Sequence, residues 1–105
     1  MQFLHELSPP IVHRDLKPAN LLMTSNYDVK VCDFGLSKII SRCSQSYITA
    51  QSRHTVGTPH YAAPELLKNE KFGVKVDVWS FGVVLWELVM RQRPLSHYDD
   101  PVQVL

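Results

Sequence analysis

Residues 11–35, IVHRDLKPANLLMTSNYDVKVCDFG, constrain the chain most, because they read as a hairpin with oxygen ligands at its open end. Residues 21–24 form a short apolar run, and residues 29–32 alternate apolar and polar side chains. Between them stands Ser25-Asn26-Tyr27-Asp28, made of residues that favour turns. A four-residue loop predicts Thr24 opposite Val29 and Leu21 opposite Cys32, and one further step sets Asn20 across from Asp33. Facing residues in such a pair have β-carbons roughly 5 Å apart. Two hard oxygen donors at that separation suit a magnesium ion, which takes few protein oxygens and completes its shell with water and phosphate.

Asp15 lies on the segment leading into the hairpin, where it can face the same spot as a base for an incoming hydroxyl. Lys17 supplies a positive charge suited to a transferring phosphoryl group. His13-Arg14-Asp15-Leu16-Lys17-Pro18-Ala19-Asn20 resembles the catalytic loop of protein kinases, and Asp33-Phe34-Gly35 resembles their magnesium motif. A lone tripeptide would carry little weight, but both motifs joined by a hairpin carry a great deal. Ala63-Pro64-Glu65 stands where the family closes its activation segment. Asp77-Val78-Trp79-Ser80-Phe81-Gly82 is similar to the start of the buried helix that follows.

The resemblance implies an α+β fold, mainly α, corresponding to a fragment of the C-terminal (large) lobe of the protein-kinase-like fold. Residues 1–105 would be one partial kinase domain, from the catalytic loop through the helix after the activation segment. The sequence holds no Gly-rich phosphate loop, no strand lysine in a V-A-I-K context and no arginine placed to pair with Glu65. The implied function is that of a protein serine/threonine kinase using ATP and Mg2+ to phosphorylate protein hydroxyls, with the fragment inactive alone. Asp15, Lys17 and Asn20 would be catalytic, Asn20 and Asp33 would hold the metal, and Leu22 would floor the adenine site. His13, Phe34, Gly35, Thr58, Glu65 and Asp77 would be structural, Asp77 holding the catalytic-loop backbone from below. Lys17 with Gly57-Thr58 follows the serine/threonine pattern, whereas residues 80–87 are nearer to tyrosine kinases and the tyrosine-kinase-like group. The alternative is a non-catalytic lobe that only binds or competes for partners, which has no need of Asp15 and Asn20 together.

Elsewhere the patterns are plainer. Residues 1–7 read as the end of a helix with Phe3, Leu4 and Leu7 on one face, stopped by Ser8-Pro9-Pro10. Leu21, Leu22 and Met23 read as core. Residues 36–53 are polar and serine-rich without sustained periodicity, so a surface loop is expected. A phosphate on the segment from Ser37 to Thr58, added by an upstream kinase or by the protein itself, would be read by Arg14, whose planar fork meets it with two hydrogen bonds. Thr55 is the favoured acceptor, followed by Thr49 and Ser52. Residues 76–89 are apolar on nearly every face and read as a buried core helix, with Gly82 explained by close packing.

Net charge is +1, from eleven Lys and Arg against ten Asp and Glu, which gives no electrostatic reason to expect nucleic acid or an anionic membrane. Cys32, on a buried strand, and Cys43 read as free thiols in a reducing cytosol; a Cys32 lining a nucleotide pocket and open to electrophiles is the sharper alternative. His54, His60 and Cys43 have the wrong spacing for structural zinc. The longest apolar stretch is too short to cross a bilayer, and a cytoplasmic, intracellular protein is expected.

Overall fold

The computed structural model describes residues 1–40, 48–49 and 57–96, the pair 48–49 by backbone alone. Helix α1 (Gln2–Glu6) comes first and has no buried residue. Of the expected apolar face, Phe3 is 75% exposed while Leu4 and Leu7 are half-buried. Strand β1 (Ile11–Val12) pairs antiparallel with β4 (Lys38–Ile39), Ile11 opposite Ile39 and Val12 opposite Lys38. A second pairing joins β5 (Ile48–Thr49) to β6 (Lys71–Phe72). Two short strands therefore lie in the stretch read from sequence as a plain loop. Each has only two residues, below the length at which alternation is visible.

The hairpin of β2 (Leu21–Met23) and β3 (Val29–Val31) is present, but its register differs by one residue from the expectation. Leu21 faces Val31 and Met23 faces Val29, so Thr24 belongs to the turn. Thr24 N–H donates to Asp28 O at 2.9 Å, and its hydroxyl accepts the amides of Asn26 (3.3 Å) and Asp28 (3.1 Å). Tyr27 closes the turn at φ 64, the left-handed position of a three-residue hairpin loop. Glycine or asparagine usually fills that position, and a tyrosine there hides the turn type. In consequence Asn20 faces Cys32, whose N–H donates to Asn20 O at 2.9 Å, and Asp33 lies one residue further on.

Neither strand of this hairpin is core. Leu22 is 55% and Met23 67% exposed, and Cys32 is half-buried just beyond β3 rather than within a buried strand. The core lies below, where Val12, Ile40, Ala63, Leu66, Phe72 and Val76 cluster. They come from β1, the residue after β4, helix α2 (Pro64–Leu67) with its N-cap, β6, and the start of helix α3 (Lys75–Met90). Fully burying a side chain the size of Phe72 contributes about 1.5–3 kcal/mol.

Helix α3 is the longest element, at 16 residues, yet only Val76, Asp77, Ser80 and Val84 are buried. Its expected burial on all sides is thus corrected: the described elements cover one face. Val78, Trp79, Trp86 and Leu88 are exposed, and several line an apolar groove of about 870 Å³ against residues 59–67. Gly82 borders that groove with nothing within 4 Å of a Cβ built there, so close packing does not explain it. No helix among the described residues is long and apolar enough to cross a membrane.

Candidate functional site

The turn between β1 and the 3-10 helix Pro18–Asn20 carries Asp15, 7% exposed, and its carboxylate is surrounded by donors. Oδ1 accepts Thr58 N–H at 2.9 Å and the Thr58 hydroxyl at 3.0 Å. Oδ2 lies 2.9 Å from Lys17 Nζ and accepts Asn20 Nδ2 at 3.2 Å. Asn20 Nδ2 also donates to Asp15 O (2.8 Å), and Lys17 Nζ donates to the Thr58 hydroxyl (2.7 Å). Burial pushes the Asp15 carboxyl up, but the Lys17 and Thr58 hydrogen bonds and the Lys17 charge outweigh it, and the net shift is downward. The result is a shielded carboxylate ionised across neutral pH, beside a half-buried ammonium.

Gly57 makes this approach possible. Its φ is +95, and a Cβ there would stand 2.6 Å from Arg14 O and 3.6 Å from Asp15 Oδ1. Gly57→Ala is expected to destabilise the intact protein by roughly 2–5 kcal/mol, from the left-handed backbone together with the clash. The thermal unfolding midpoint should fall, and an unchanged midpoint would mean that the loop can move aside.

The backbone under Asp15 is held from α3. Asp77 Oδ2 accepts His13 N–H and Oδ1 accepts Arg14 N–H, each at 2.9 Å. These bonds fix Arg14 at φ 68, in the left-handed region, which aims the following residue at Thr58. His13 is fully buried: its Nε2–H donates to Cys32 O at 2.9 Å, Nδ1 accepts Asp15 N–H at 3.3 Å, and Phe34 packs edge-on at 5.0 Å between centroids. Both ring nitrogens are thus engaged by the backbone, and a general-base role has no lone pair to use. The Arg14 Nε–H donates to Leu36 O (2.6 Å), and the guanidinium lies 5.7 Å over the Phe72 ring. Burial lowers its pKa, against the opposing pull of Asp77.

Asp33 is exposed, has φ 61, and accepts Gly35 N–H at 3.3 Å on Oδ1. A Cβ on Gly35 would come within 3.2 Å of that oxygen. Asn20 is buried with its Nδ2 turned to Asp15, and among the described residues no donor is bonded to its Oδ1. One carboxylate and one amide oxygen, beyond the open end of the β2–β3 hairpin, are of the kind that suits a small hard cation that retains waters. Glu65 lies at the α2 start, beside the groove under α3 and away from Asp15. Of the anticipated phosphate acceptors, Thr55 and Ser52 fall outside the described residues, and Thr49 is placed by backbone only in β5. Cys43 and His54 also fall outside; among the described residues no three metal-ligating side chains cluster.

Two features escaped the sequence reading. Tyr61 Oη donates to Glu87 at 2.8 Å and Ser80 donates to Tyr61 O at 2.8 Å, tying residues 59–61 to α3. Burial first, then Glu87, pushes the Tyr61 hydroxyl up to about 12. The second is His5, whose Nε2 lies 2.8 Å from Asp77 Oδ2 across the core. Its partner is 72 residues away, so no local pattern could have shown it.

Comparison with known proteins gives the family. The protein kinase domain model matches residues 1–104. The chain is 49% identical over its full length to the serine/threonine-protein kinase CTR1 of Arabidopsis thaliana, covering 12% of that protein. It is 44% identical over 102 residues, 96% of the chain, to a Drosophila melanogaster protein named as mitogen-activated protein kinase kinase kinase 7-like, covering 24% of it. It is 43% identical over 100 residues, 95% of the chain, to the dual specificity protein kinase shkC of Dictyostelium discoideum, covering 19%. The chain thus spans a quarter or less of each of these relatives. A family model matching nearly every residue, together with an Asp15, Asn20 and Asp33 constellation on the expected loop and hairpin, places this chain in the eukaryotic-type protein kinase family.

Proposed function

We propose that these residues are part of the C-terminal lobe of a protein serine/threonine kinase that transfers the ATP γ-phosphoryl group to protein hydroxyls. The observation that carries this reading is the Asp15 carboxylate, shielded and held in place by Lys17, Asn20 and Thr58. A carboxylate that stays ionised at neutral pH is ready to accept a hydrogen bond from an incoming hydroxyl. Its work is therefore to orient the acceptor hydroxyl in line with the phosphoryl group and take its proton late. Lys17 would meet charge developing on the transferred group. Asn20 and Asp33 would hold Mg2+, which supplies neutralisation of phosphate charge when bound. Leu22, exposed beside the hairpin's open end, offers an apolar floor for a purine.

Thr58, bonded to both Asp15 and Lys17, supports serine or threonine acceptors. Regulation would run through Arg14 and a phosphate on Thr55, or else on Thr49 or Ser52, added by an upstream kinase or in cis. Protein substrates and ATP are then the partners, and the cytoplasm is the setting. The chain alone lacks groups that phosphoryl transfer needs and would not turn over by itself. The exposed apolar side of α3 favours a second reading, a lobe that only binds partners. The Asp15 network speaks against it, since binding alone gives a shielded ion pair no task.

The test is magnesium dependence in the intact protein. Asp33→Asn is expected to raise the magnesium concentration needed for half-maximal turnover well above that of the wild type, because a charged ligand becomes neutral. Unchanged magnesium dependence in that variant would remove Asp33 from the metal site.

A further inference from the structure

Of the three oxygen-bearing side chains in the proposed site, Asp33 is the one that enclosure does not hold. Asp15 and Asn20 are buried, whereas Asp33 is exposed and stands at φ 61, in the left-handed region. A non-glycine residue keeps that backbone only where its surroundings over-determine it. The restraint comes from the four residues that follow. Phe34 O accepts the Ser37 N–H at 3.0 Å and the Ser37 hydroxyl at 2.5 Å, so two donors from one residue close a turn over residues 34–37. Leu36 O accepts the Arg14 Nε–H at 2.6 Å, and the Phe34 ring packs edge-on against buried His13. Directly after Ser37 the chain enters β4, which is paired with β1. Ser37 is therefore anchored on its far side by that pairing.

We propose that Ser37 is a positioning residue for Asp33, acting through the peptide group that joins Phe34 to Gly35. That group is planar and rigid, with its oxygen and its hydrogen on opposite edges. The oxygen is the one that Ser37 holds, and the hydrogen is the Gly35 N–H that donates to Asp33 Oδ1 at 3.3 Å. Fixing one edge therefore aims the other. With Oδ1 turned to the peptide, Oδ2 is left for a cation, and among the described residues no donor is bonded to it. Gly35 gives the hydroxyl its importance. A peptide beside glycine turns over cheaply, because glycine accepts either sign of φ. Phe34 and Gly35 are exposed, so water can replace a lost protein donor on the carbonyl. The Ser37 N–H alone sets one bond against that rotation, and the hydroxyl adds a second from a residue that β4 anchors.

The magnesium arm of the test rests on the phosphotransfer reading; the exchange arm does not. In the intact protein, Ser37→Thr keeps the hydroxyl, and Ser37→Val has the shape of that threonine without it. Relative to Ser37→Thr, Ser37→Val is expected to need about three- to tenfold more Mg2+ for half-maximal turnover, the range for net loss of one hydrogen bond. The nucleotide KM at saturating Mg2+ should agree within about twofold between the two variants, since the hydroxyl acts on the metal ligand alone. Amide hydrogen exchange at Gly35 and Ser37 should be faster in Ser37→Val by a similar factor, with the core amides of Leu66 and Val84 equal in both. An equal magnesium requirement in two active variants would overturn the proposal. So would equal exchange at Gly35 and Ser37, or acceleration spread evenly over all amides. Wild-type protein without turnover at any magnesium concentration, but with the expected exchange difference between the variants, would sink the phosphotransfer reading and leave the positioning role standing.

Discussion

Asp15→Asn is expected to lower turnover of the intact kinase by about 10²–10⁴-fold, the usual worth of a positioned acid or base, with nucleotide affinity nearly unchanged. The carboxylate engages donors on both oxygens: Thr58 twice on one, Lys17 and Asn20 on the other. An asparagine has the same shape but one accepting oxygen, so its NH2 must face Lys17 and Asn20 or the Thr58 amide. The hydroxyl acceptor then meets a donor where it needs an acceptor, and the loss falls on the transition state rather than on bound ATP. Steady-state kcat and nucleotide KM, measured separately, decide this, and a KM that rises as kcat falls would return Asp15 to a binding role. The pH dependence has a definite sign. Because the folded state depresses the Asp15 pKa below its ordinary 3.8, the ionised form is favoured by folding. The associated stability is present above the ordinary value and is lost only as pH falls through the lower folded one. An acid limb in turnover near neutral pH therefore belongs to another group.

What was legible in the sequence is what lies close along the chain. Asp15, Lys17 and Asn20 fall within six residues, and the chemistry of their side chains shows without any fold. The hairpin showed through its turn residues, but its register did not. Tyr27 occupies a left-handed position that composition does not advertise, and Thr24 spends its hydroxyl on the turn instead of extending the strand. The one-residue slip moves Asn20 from facing Asp33 to facing Cys32, so the pair lies beyond the hairpin's open end without standing directly opposite each other. The α3 error has a different origin. A helix apolar on all sides implies partners on all sides. The described elements cover only the stripe of Val76, Asp77, Ser80 and Val84, and periodicity cannot say where the other partners are encoded.

The contacts beneath the loop join residues more than sixty positions apart, so no local pattern shows them and only the family resemblance pointed to Asp77; they set the second large expectation. Asp77→Asn should cost the intact protein at least tenfold in turnover together with a lower unfolding midpoint. The substitution is isosteric, so packing is preserved and only the acceptor pattern changes. With one accepting oxygen, the side chain can satisfy His13 N–H or Arg14 N–H but not both, since these approach different oxygens. A buried amide left facing an NH2 group costs about 1–3 kcal/mol, a sizeable part of the 5–15 kcal/mol that holds a domain folded. The position is fully enclosed, so water cannot step in. Release of either amide lets Arg14 leave φ 68, and Asp15 swings away from Thr58 and Lys17. Loss of kcat should therefore accompany loss of stability here, whereas Asp15→Asn should lose kcat with the midpoint less affected. Thermal unfolding and kinetics on the same two variants separate the pin from the group it aims. Full turnover in Asp77→Asn would show that the loop keeps its shape without a carboxylate beneath it.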